Sequence, residues 1–402
     1  MRIETNGTCR HVTYCLNIHP GETWAENQAA LEGPVQALRE RIAPDRPFGL
    51  GLRLGAQAAK TLMQPEHLAA FRSWLAEHGY YVFTVNAFPY GRFHGAPVKE
   101  DVYRPDWRRE ERLAYTLDVA EILAALLPEG VYGSVSTLPG SYRAWCEHQN
   151  DRDRILVNLT RAASALAELE KRTGRCVQLA IEPEPDCLWD TAPQMVRLHT
   201  GDLPERGVSL TAAVQGVPEG RLRAAVRRHL GVCFDTCHHA ALFEDPATGI
   251  RQLVEHGVPV PKVQVSAAPE AACNTPETRR QLAHLADAFY LHQTAVREPD
   301  GTVRRYADLG EALSAAETLP ESCTIRSHAH IPLGIDRWGA LRSTRYELDP
   351  AFFRALACSS CSHLELETYT FSVLPESMRR GGVVDSLAGE FEWVLPRMRQ
   401  YL

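Results

Sequence analysis

The sequence predicts a single α/β barrel, a (β/α)8 TIM barrel in which parallel strands alternate with helices and close into a ring. Short apolar runs alternate with longer amphipathic segments along most of the chain, and polar residues stand where several of those runs end. The length of 402 residues suits one large barrel with insertions. Because no Gly/Ser-rich linker or internal repeat divides the sequence, we expect one domain over residues 1–402.

Apolar runs with strand character predict the first seven barrel strands. They cover residues 13–21, 48–55, 80–89, 131–140, 177–185, 231–239 and 262–268. The segments between them have helical spacing. Residues 153–174, for example, place Ile155, Leu159 and Leu166 on one face and end at Gly174. Repeated strand–helix units imply parallel strands, and eight such units close a barrel.

The alternation changes after residue 268. A β-hairpin is expected to turn at Pro299–Gly301, and residues 363–371 are expected to form the eighth strand. We therefore predict an insertion over about 289–345 that covers the mouth of the barrel before strand eight. Helices are predicted in this half of the chain over 275–289, 308–318 and 350–357.

Composition narrows the class of partner. The formal net charge is −7 and the sequence pI is about 6.2, which argues against a nucleic-acid partner. The first ten residues lack the apolar core of a secretory signal, and no apolar run is long enough for membrane insertion. The odd number of cysteines, 11, fits a reducing compartment. We expect a cytoplasmic protein whose partner is a small-molecule metabolite.

Polar residues collect at the predicted strand ends. In a barrel of this type those ends converge on one rim, where active sites lie. Glu365 and Glu367 share one face of their strand, because strand side chains alternate with period two. Burying several carboxylates together is costly unless a cation compensates them, so we predict a divalent metal ion: Mn²⁺, Mg²⁺, Co²⁺ or Zn²⁺. The rim residues are Glu182, Asp235, Gln264, Glu365 and Glu367.

His238 follows Asp235 by three residues. At that spacing its imidazole could return to the same metal or bind a substrate oxygen. Two structural alternatives stay open at this stage: Asp235 could be the N-cap of the next helix, and His238 could be a buried, hydrogen-bonded imidazole.

The loop after the third strand is a candidate for substrate binding. It carries Asn86, Arg92 and His94, and a guanidinium at the rim would suit an anionic or hydroxylated ligand. His19, after the first strand, is a further candidate for the pocket wall. An ordinary Pro/Gly turn with solvated charges explains the loop equally well.

Several motifs resemble known families. The strand end GVCFDTCHHA (231–240), the segment AIEPEP (180–185) and the segment LELET (364–368) resemble the xylose isomerase-like barrel superfamily, which includes sugar epimerases and the endonuclease IV group. Over nearly the whole length, segments such as TYCLNIHPGETW (13–24) and RSHAHIPL (326–333) are similar to EboE, the metabolite-traffic family of bacterial ebo gene clusters.

The superfamily resemblance implies a ligand set. Glu182 and Asp235 match metal ligands, as does one of Glu365 and Glu367, of which Glu367 fits better. Gln264 stands where the superfamily usually has His, and its amide oxygen would favour harder cations than zinc. The SHAHIP segment resembles an Asp-x-His pair and would bring the imidazoles listed here near the metal: His328 and His330.

The resemblance also implies a reaction. In the superfamily's epimerases two metal-bound glutamates exchange a proton at a C–H next to a carbonyl; here these would be Glu182 and Glu367, with His238 polarising the carbonyl oxygen. The alternative is a non-catalytic protein that binds a metal and hands a metabolite on, with other ebo-cluster proteins as partners. An AP-endonuclease-like phosphodiesterase is disfavoured, because the second strand offers no histidine and the chain is acidic.

Overall fold

The computed structural model describes residues 1–5 and 7–402 and contains two sheets in that part of the chain. The strands are β1 Arg2–Thr5, β2 Thr8–Tyr14, β3 Phe48–Arg53, β4 Tyr80–Asn86, β5 Gly133–Thr137, β6 Val177–Ile181, β7 Leu230–Asp235, β8 Lys262–Val265, β9 Pro269–Ala271, β10 Thr294–Arg297, β11 Val303–Tyr306, β12 Thr324–Ser327, β13 Arg337–Trp338, β14 Leu341–Ser343 and β15 His363–Leu366.

Helices separate the strands and cover the barrel. Wider helical turns join α1 to α2 and α7 to α8. None of the helices in the described residues is long and apolar enough to cross a membrane. The helices are α1 Trp24–Ala30, α2 Gln36–Ile42, α3 Ala56–Leu62, α4 Pro65–Glu77, α5 Glu110–Leu126, α6 Gln149–Thr173, α7 Ala192–Arg197, α8 Val208–Gln215, α9 Glu219–His229, α10 Thr236–Ala241, α11 Pro246–Glu255, α12 Pro276–Ala283, α13 Leu309–Ala316, α14 Pro350–Ala357 and α15 Gly382–Tyr401.

The first sheet is the barrel. Its order is β1-β2-β15-β8-β7-β6-β5-β4-β3; β1 pairs antiparallel with β2, and the remaining pairs are parallel. A parallel bridge between Cys15 and Gly51 joins β2 to β3 and closes the ring. The (β/α)8 barrel predicted from the alternating pattern is therefore confirmed, with a hairpin and helices inserted before its last strand.

The insertion contains the second sheet, with antiparallel order β11-β10-β12-β9-β14-β13. It begins at β9, Pro269–Ala271, and so starts earlier than the predicted bounds of about 289–345. The predicted hairpin is β10–β11, whose turn includes Gly301 at φ +89°. The second sheet is tied to the barrel by backbone hydrogen bonds: Ile331 N donates to Ala267 O at 3.0 Å, and Thr344 N donates to Ala268 O at 2.9 Å. These bonds hold the segments that follow β12 and β14 against the segment that follows β8.

The start of the barrel differs from the sequence prediction. The first strand was expected over 13–21, but β2 ends at Tyr14 and the chain turns into a single helical turn, Leu16–Ile18. This turn takes Asn17 and His19 out of the strand. The strand β1 was not predicted; it pairs with the N-terminal part of β2, with Arg2 opposite His11. Other strands end earlier than their apolar runs, and β6 stops just before Glu182.

The barrel interior holds a buried ion pair below the rim. Lys262 Nζ lies 2.5 Å from a Glu365 carboxylate oxygen, and both side chains are fully buried. Burial disfavours the charge on Lys262, but the Glu365 carboxylate outweighs it and raises the lysine pKa. Gly51 leaves the space that this pair needs, because a Cβ there would lie 2.0 Å from Glu365 Oε1.

Candidate metal centre

Asp235 ends β7 and is the N-cap of α10, and its two carboxylate oxygens differ in their hydrogen bonds. Oδ1 accepts from the backbone N–H groups of Cys237 (2.7 Å) and His238 (3.2 Å) and from the Ser266 hydroxyl (2.6 Å). This is the helix N-cap that the sequence left open. Oδ2 is buried and has no ordinary donor among the described residues. One oxygen therefore fixes the side chain, and the other stays available.

Two histidines are held with their Nε2 atoms turned towards Asp235. The ring N–H at Nδ1 of His238 donates to the Pro183 carbonyl (2.8 Å), and that of His330 donates to the Glu367 carbonyl (3.0 Å). Since a carbonyl only accepts, Nδ1 carries the proton and each neutral ring has its lone pair on Nε2. Both Nε2 atoms lie 4.0 Å from Asp235 Oδ2. This second bond to a carbonyl is typical of histidines that ligate metals.

Glu182 and Glu367 supply further carboxylates to the cluster. Glu182 Oε1 is 3.9 Å from His238 Nδ1, and Glu182 Oε2 is buried without a hydrogen-bond partner in the described chain. Glu367 Oε1 accepts from the side-chain amides of Asn17 (2.7 Å) and Asn86 (3.2 Å). The ligand atoms of Glu182, Asp235 and His238 lie within 4.8 Å of one another, as do those of His238, His328 and His330.

The electrostatics show that the cluster lacks positive charge. Burial and the neighbouring carboxylates raise the pKa of Glu182 and of Glu367 well above the ordinary value for glutamate. Burial also opposes charge on Asp235, but His238, His330 and hydrogen bonds from Glu367 and Ser266 hold its pKa below the ordinary range. Without a cation, the two glutamates therefore hold their protons to higher pH than an ordinary glutamate, whereas Asp235 loses its proton readily.

The histidines are neutral at physiological pH. Burial lowers the pKa of His238 to about 4 and lowers that of His330 as well. A neutral imidazole nitrogen with no proton is the form that binds metals. The unpartnered atoms of Glu182, Asp235 and His330 therefore fit a divalent cation, and His238 and Glu367 would complete its shell. Carboxylate and imidazole donors together suit Mn²⁺, Co²⁺ and Zn²⁺.

Two of the rim residues predicted from the sequence have other partners. Glu365, Gln264 and Asp235 stand side by side on β15, β8 and β7. The side chain of Glu365 pairs with Lys262 inside the barrel. Gln264 Oε1 accepts from the Cys233 thiol at 2.9 Å, which leaves Gln264 Nε2 without a partner in the described residues. The histidine that the superfamily usually has on the seventh barrel strand, here β8, is therefore absent. His330, in the insertion, supplies an imidazole instead.

Some of the substrate-binding residues predicted from the sequence line the cavity, and others do not. Asn86 lines the cavity above the cluster, and so does His238. Arg92 is exposed and is not among the cavity-lining residues, so an anion clamp on the bound ligand finds no support in this arrangement. His94 lies 3.6 Å from Glu22, and His19 Nε2 contacts the Tyr14 hydroxyl at 2.9 Å; both are outside the lining.

Other lining residues were missed in the sequence. Glu184 lines the cavity and accepts a hydrogen bond of 2.6 Å from the buried Tyr103 hydroxyl. The alternation in EPEP places it two residues after Glu182, which was a readable signal. Asn17 was hidden because the turn that presents it was taken for strand. Tyr369 follows β15, and its ring centroid lies 4.7 Å from that of His330.

No family model and no curated protein matches the chain, so the EboE resemblance has no support from known proteins. Similar solved structures include the IOLI protein with a binding zinc atom, at 12% identity over 98% of this chain and 99% of that one, TM-score 0.48. A D-tagatose 3-epimerase-like protein has 12% identity over 97% and 98%, TM-score 0.46.

A xylose isomerase domain protein from Planctomyces limnophilus is similar at 13% identity, over 87% of this chain and 89% of that one, with a TM-score of 0.45.

Proposed function

We propose that the protein is a metal-dependent isomerase or epimerase that acts on a small metabolite with a hydroxyl group next to a carbonyl. The observation that carries this proposal is the convergence of buried, unpartnered ligand atoms from Glu182, Asp235 and His330 beside a cavity. The zinc in the IOLI structure and the epimerase-like neighbour belong to those proteins, and they agree with this choice without deciding it.

Glu182 and Glu367 are the candidates for proton transfer. Both line the cavity, and they come from strands that β8 and β7 separate in the barrel. A divalent ion bound here would acidify a C–H between two substrate oxygens. One glutamate would then take that proton as a carboxylate, and the other would return a proton to the same carbon or its neighbour. The Asn17 and Asn86 amides hold Glu367 in place.

The hydrogen bonds of His238 change the role expected for it. Polarising a carbonyl requires an N–H donor, but the Nδ1 proton of His238 is committed to the Pro183 carbonyl and Nε2 carries a lone pair. In this tautomer His238 ligates a metal or accepts from a substrate hydroxyl. We assign the ligand role to His238, because Nε2 faces Asp235 at 4.0 Å.

The test is solvent deuterium exchange. The protein, loaded separately with Mn²⁺, Co²⁺ or Zn²⁺, is incubated in D2O with a panel of aldoses, ketoses and α-hydroxy ketones, and deuterium at carbon is measured by NMR. We expect incorporation next to the carbonyl in at least one compound, and none with Glu182→Gln or Glu367→Gln. Metal content is measured in each variant, and Glu244→Gln, outside the cavity lining, is the control.

A second role follows if the metal is retained but no compound exchanges. The protein would then be a metal-containing metabolite-binding protein with an EboE-like part in metabolite biosynthesis or traffic. The observation that favours this role is Gln264. It occupies the position on β8 where the superfamily usually has His, and its side-chain oxygen is directed at Cys233 rather than at the cluster. Loss of metal from the wild-type protein would count against both roles.

A further inference from the structure

The cavity above the cluster has a polar floor and apolar walls. The empty space between its lining atoms, together with the part open to solvent at the mouth, is about 490 Å3. The rings of Phe93, Tyr290 and Tyr369 form one wall, with centroids 5.1 to 5.3 Å apart in each pair. These rings come from the loop after β4, from the insertion and from the segment after β15. Three separate parts of the chain therefore build one aromatic surface. Phe88, Val102 and Leu291 extend the walls.

The tyrosines present ring surface to the cavity and commit their hydroxyls elsewhere. The Tyr290 hydroxyl donates to the Phe93 carbonyl (3.2 Å), and the Tyr103 hydroxyl donates to Glu184 (2.6 Å). The Tyr369 hydroxyl is 3.4 Å from His328 Nε2. Each hydroxyl already has a protein partner. The walls therefore offer a ligand contact with hydrocarbon groups and with the faces of aromatic rings.

Polar groups near the mouth are committed as well. Lys99 Nζ is 2.6 Å from an Asp308 oxygen, and His328 Nδ1 pairs with Gln293 Oε1 at 2.8 Å. Among the described lining residues, the buried polar atoms without a partner are Asn17 Oδ1 and Glu182 Oε2, both in residues of the floor. Hydrogen-bonding capacity for a ligand is therefore concentrated next to the candidate metal ligands.

This distribution does not suit a free sugar. A sugar has a hydroxyl on nearly every carbon, and each one that enters an apolar pocket without a partner loses its hydrogen bonds to water. The floor satisfies a few oxygens, and most of the wall surface is hydrocarbon and aromatic ring. A flat apolar group, in contrast, gains from leaving water and from ring–ring contact.

We infer that the ligand of this cavity joins a small oxygen-bearing head to a flat apolar group, aromatic or unsaturated. The head, with adjacent oxygens, lies on the floor beside Glu182 and Asn17, and the apolar group lies against Phe93, Tyr290 and Leu291. The placement of the head rests on the proposed function; the apolar subsite rests on the walls alone.

Two chelators test the subsite in the Co²⁺-loaded protein. Acetohydroxamate and benzohydroxamate bind a metal through the same pair of oxygens and differ in carrying a methyl or a phenyl group. Affinities are measured by calorimetry and corrected for the affinity of each compound for free Co²⁺. We expect benzohydroxamate to bind at least about tenfold more tightly, because the phenyl group leaves water. Equal corrected affinities would overturn the inference.

Variants locate the effect. Tyr290→Ala should reduce the preference for benzohydroxamate several-fold, and Tyr290→Phe, which keeps the ring, should retain it. Leu291→Asn makes the same test with little change in volume, should the alanine variant fail to fold. A preference that survives in both Tyr290→Ala and Leu291→Asn would place the phenyl group elsewhere and contradict the assignment.

A metal-independent arm separates this inference from the proposed function. The metal-free protein is titrated with 1-phenyl-1,2-ethanediol and with glycerol, and binding is followed by ligand-observed NMR. Tighter binding of the phenyl compound supports the subsite even if no metal loads, in which case the proposed function alone fails. Equal or weaker binding of the phenyl compound counts against the subsite.

Discussion

The Nε2 atom of His330 and the Oδ2 atom of Asp235 lie 4.0 Å apart, acceptor facing acceptor, across the junction of the insertion and the barrel. His330 belongs to the segment after β12, and Asp235 ends β7. Two lone pairs directed at one another in a buried site are unfavourable, and a cation between them removes the conflict. A metal bound here would therefore stabilise the junction of the insertion and the barrel.

His330→Ala should lower metal affinity by more than about a hundredfold, because it removes an oriented imidazole ligand. Gln264→Leu should change the affinity far less, because the Gln264 amide oxygen is held by Cys233. Competition titration against a chelator measures both. If Gln264→Leu loses the metal and His330→Ala keeps it, Gln264 rather than His330 is the ligand.

Metal binding should release protons. The pKa values of Glu182 and Glu367 are raised well above the ordinary value by burial and by neighbouring carboxylates, so both glutamates hold their protons to higher pH in the metal-free protein. A ligating carboxylate must lose its proton, so binding should release protons and the affinity should rise with pH through the range in which the glutamates titrate. Calorimetry in buffers of different ionisation enthalpy counts them. A pH-independent affinity would contradict this charge assignment.

Glu390 should make stability pH-dependent. Its buried carboxyl accepts from Thr368 Oγ1 (2.9 Å) and Leu333 N (3.2 Å), and burial raises its pKa to about 7 despite these bonds. Between pH 4.5 and 7 the folded protein holds a proton that the unfolded chain releases. Stability therefore falls as pH rises through this window, by up to about 3 kcal/mol. Denaturant unfolding of wild-type and Glu390→Gln protein, both metal-free, should show a flatter profile for the variant.

Gly51→Ala should destabilise the barrel. The added Cβ would lie 2.0 Å from Glu365 Oε1 and 2.9 Å from Thr13 Cγ2, so the buried ion pair or the strand must move. We expect a loss of about 1–3 kcal/mol, measured as a lower Tm. Gly389→Ala is the control, because its Cβ would meet nothing within 4 Å inside α15, and it should stabilise by up to about 1 kcal/mol. An unchanged Tm for Gly51→Ala would mean that the barrel interior accommodates the added methyl group, and it would contradict this steric argument.

The barrel and its rim could be predicted because they follow from local patterns. Alternating strand and helix signals imply parallel strands, and Glu182 and Asp235 come directly where apolar runs end. The partner of Glu365 could not be predicted, because Lys262 is 103 residues away in sequence and meets it only because β8 pairs with β15. The period of two predicted one strand face for Glu365 and Glu367, but β15 ends at Leu366, before Glu367. The period also does not determine which carboxylate a buried cation will bind.

His330 was recognised through a motif, and its position could not have been calculated from the sequence. It depends on how a second sheet docks on the barrel, which no local pattern encodes. The aromatic wall was missed for the same reason, since Phe93, Tyr290 and Tyr369 are scattered over the chain.

The docking of the insertion also bears on what an ion bound at the junction would do. An ion between Asp235 and His330 would contact both the barrel and the insertion, which are joined by the Ile331–Ala267 and Thr344–Ala268 backbone hydrogen bonds. The cavity that Glu182, His238 and Glu367 line is the path for the ion, so the ion can leave while the insertion stays docked. An ion that contacts both the barrel and the insertion would in turn hold them together, and the exchange of the Ile331 and Thr344 amide hydrogens with solvent should be slower in the metal-loaded protein than in the metal-free protein.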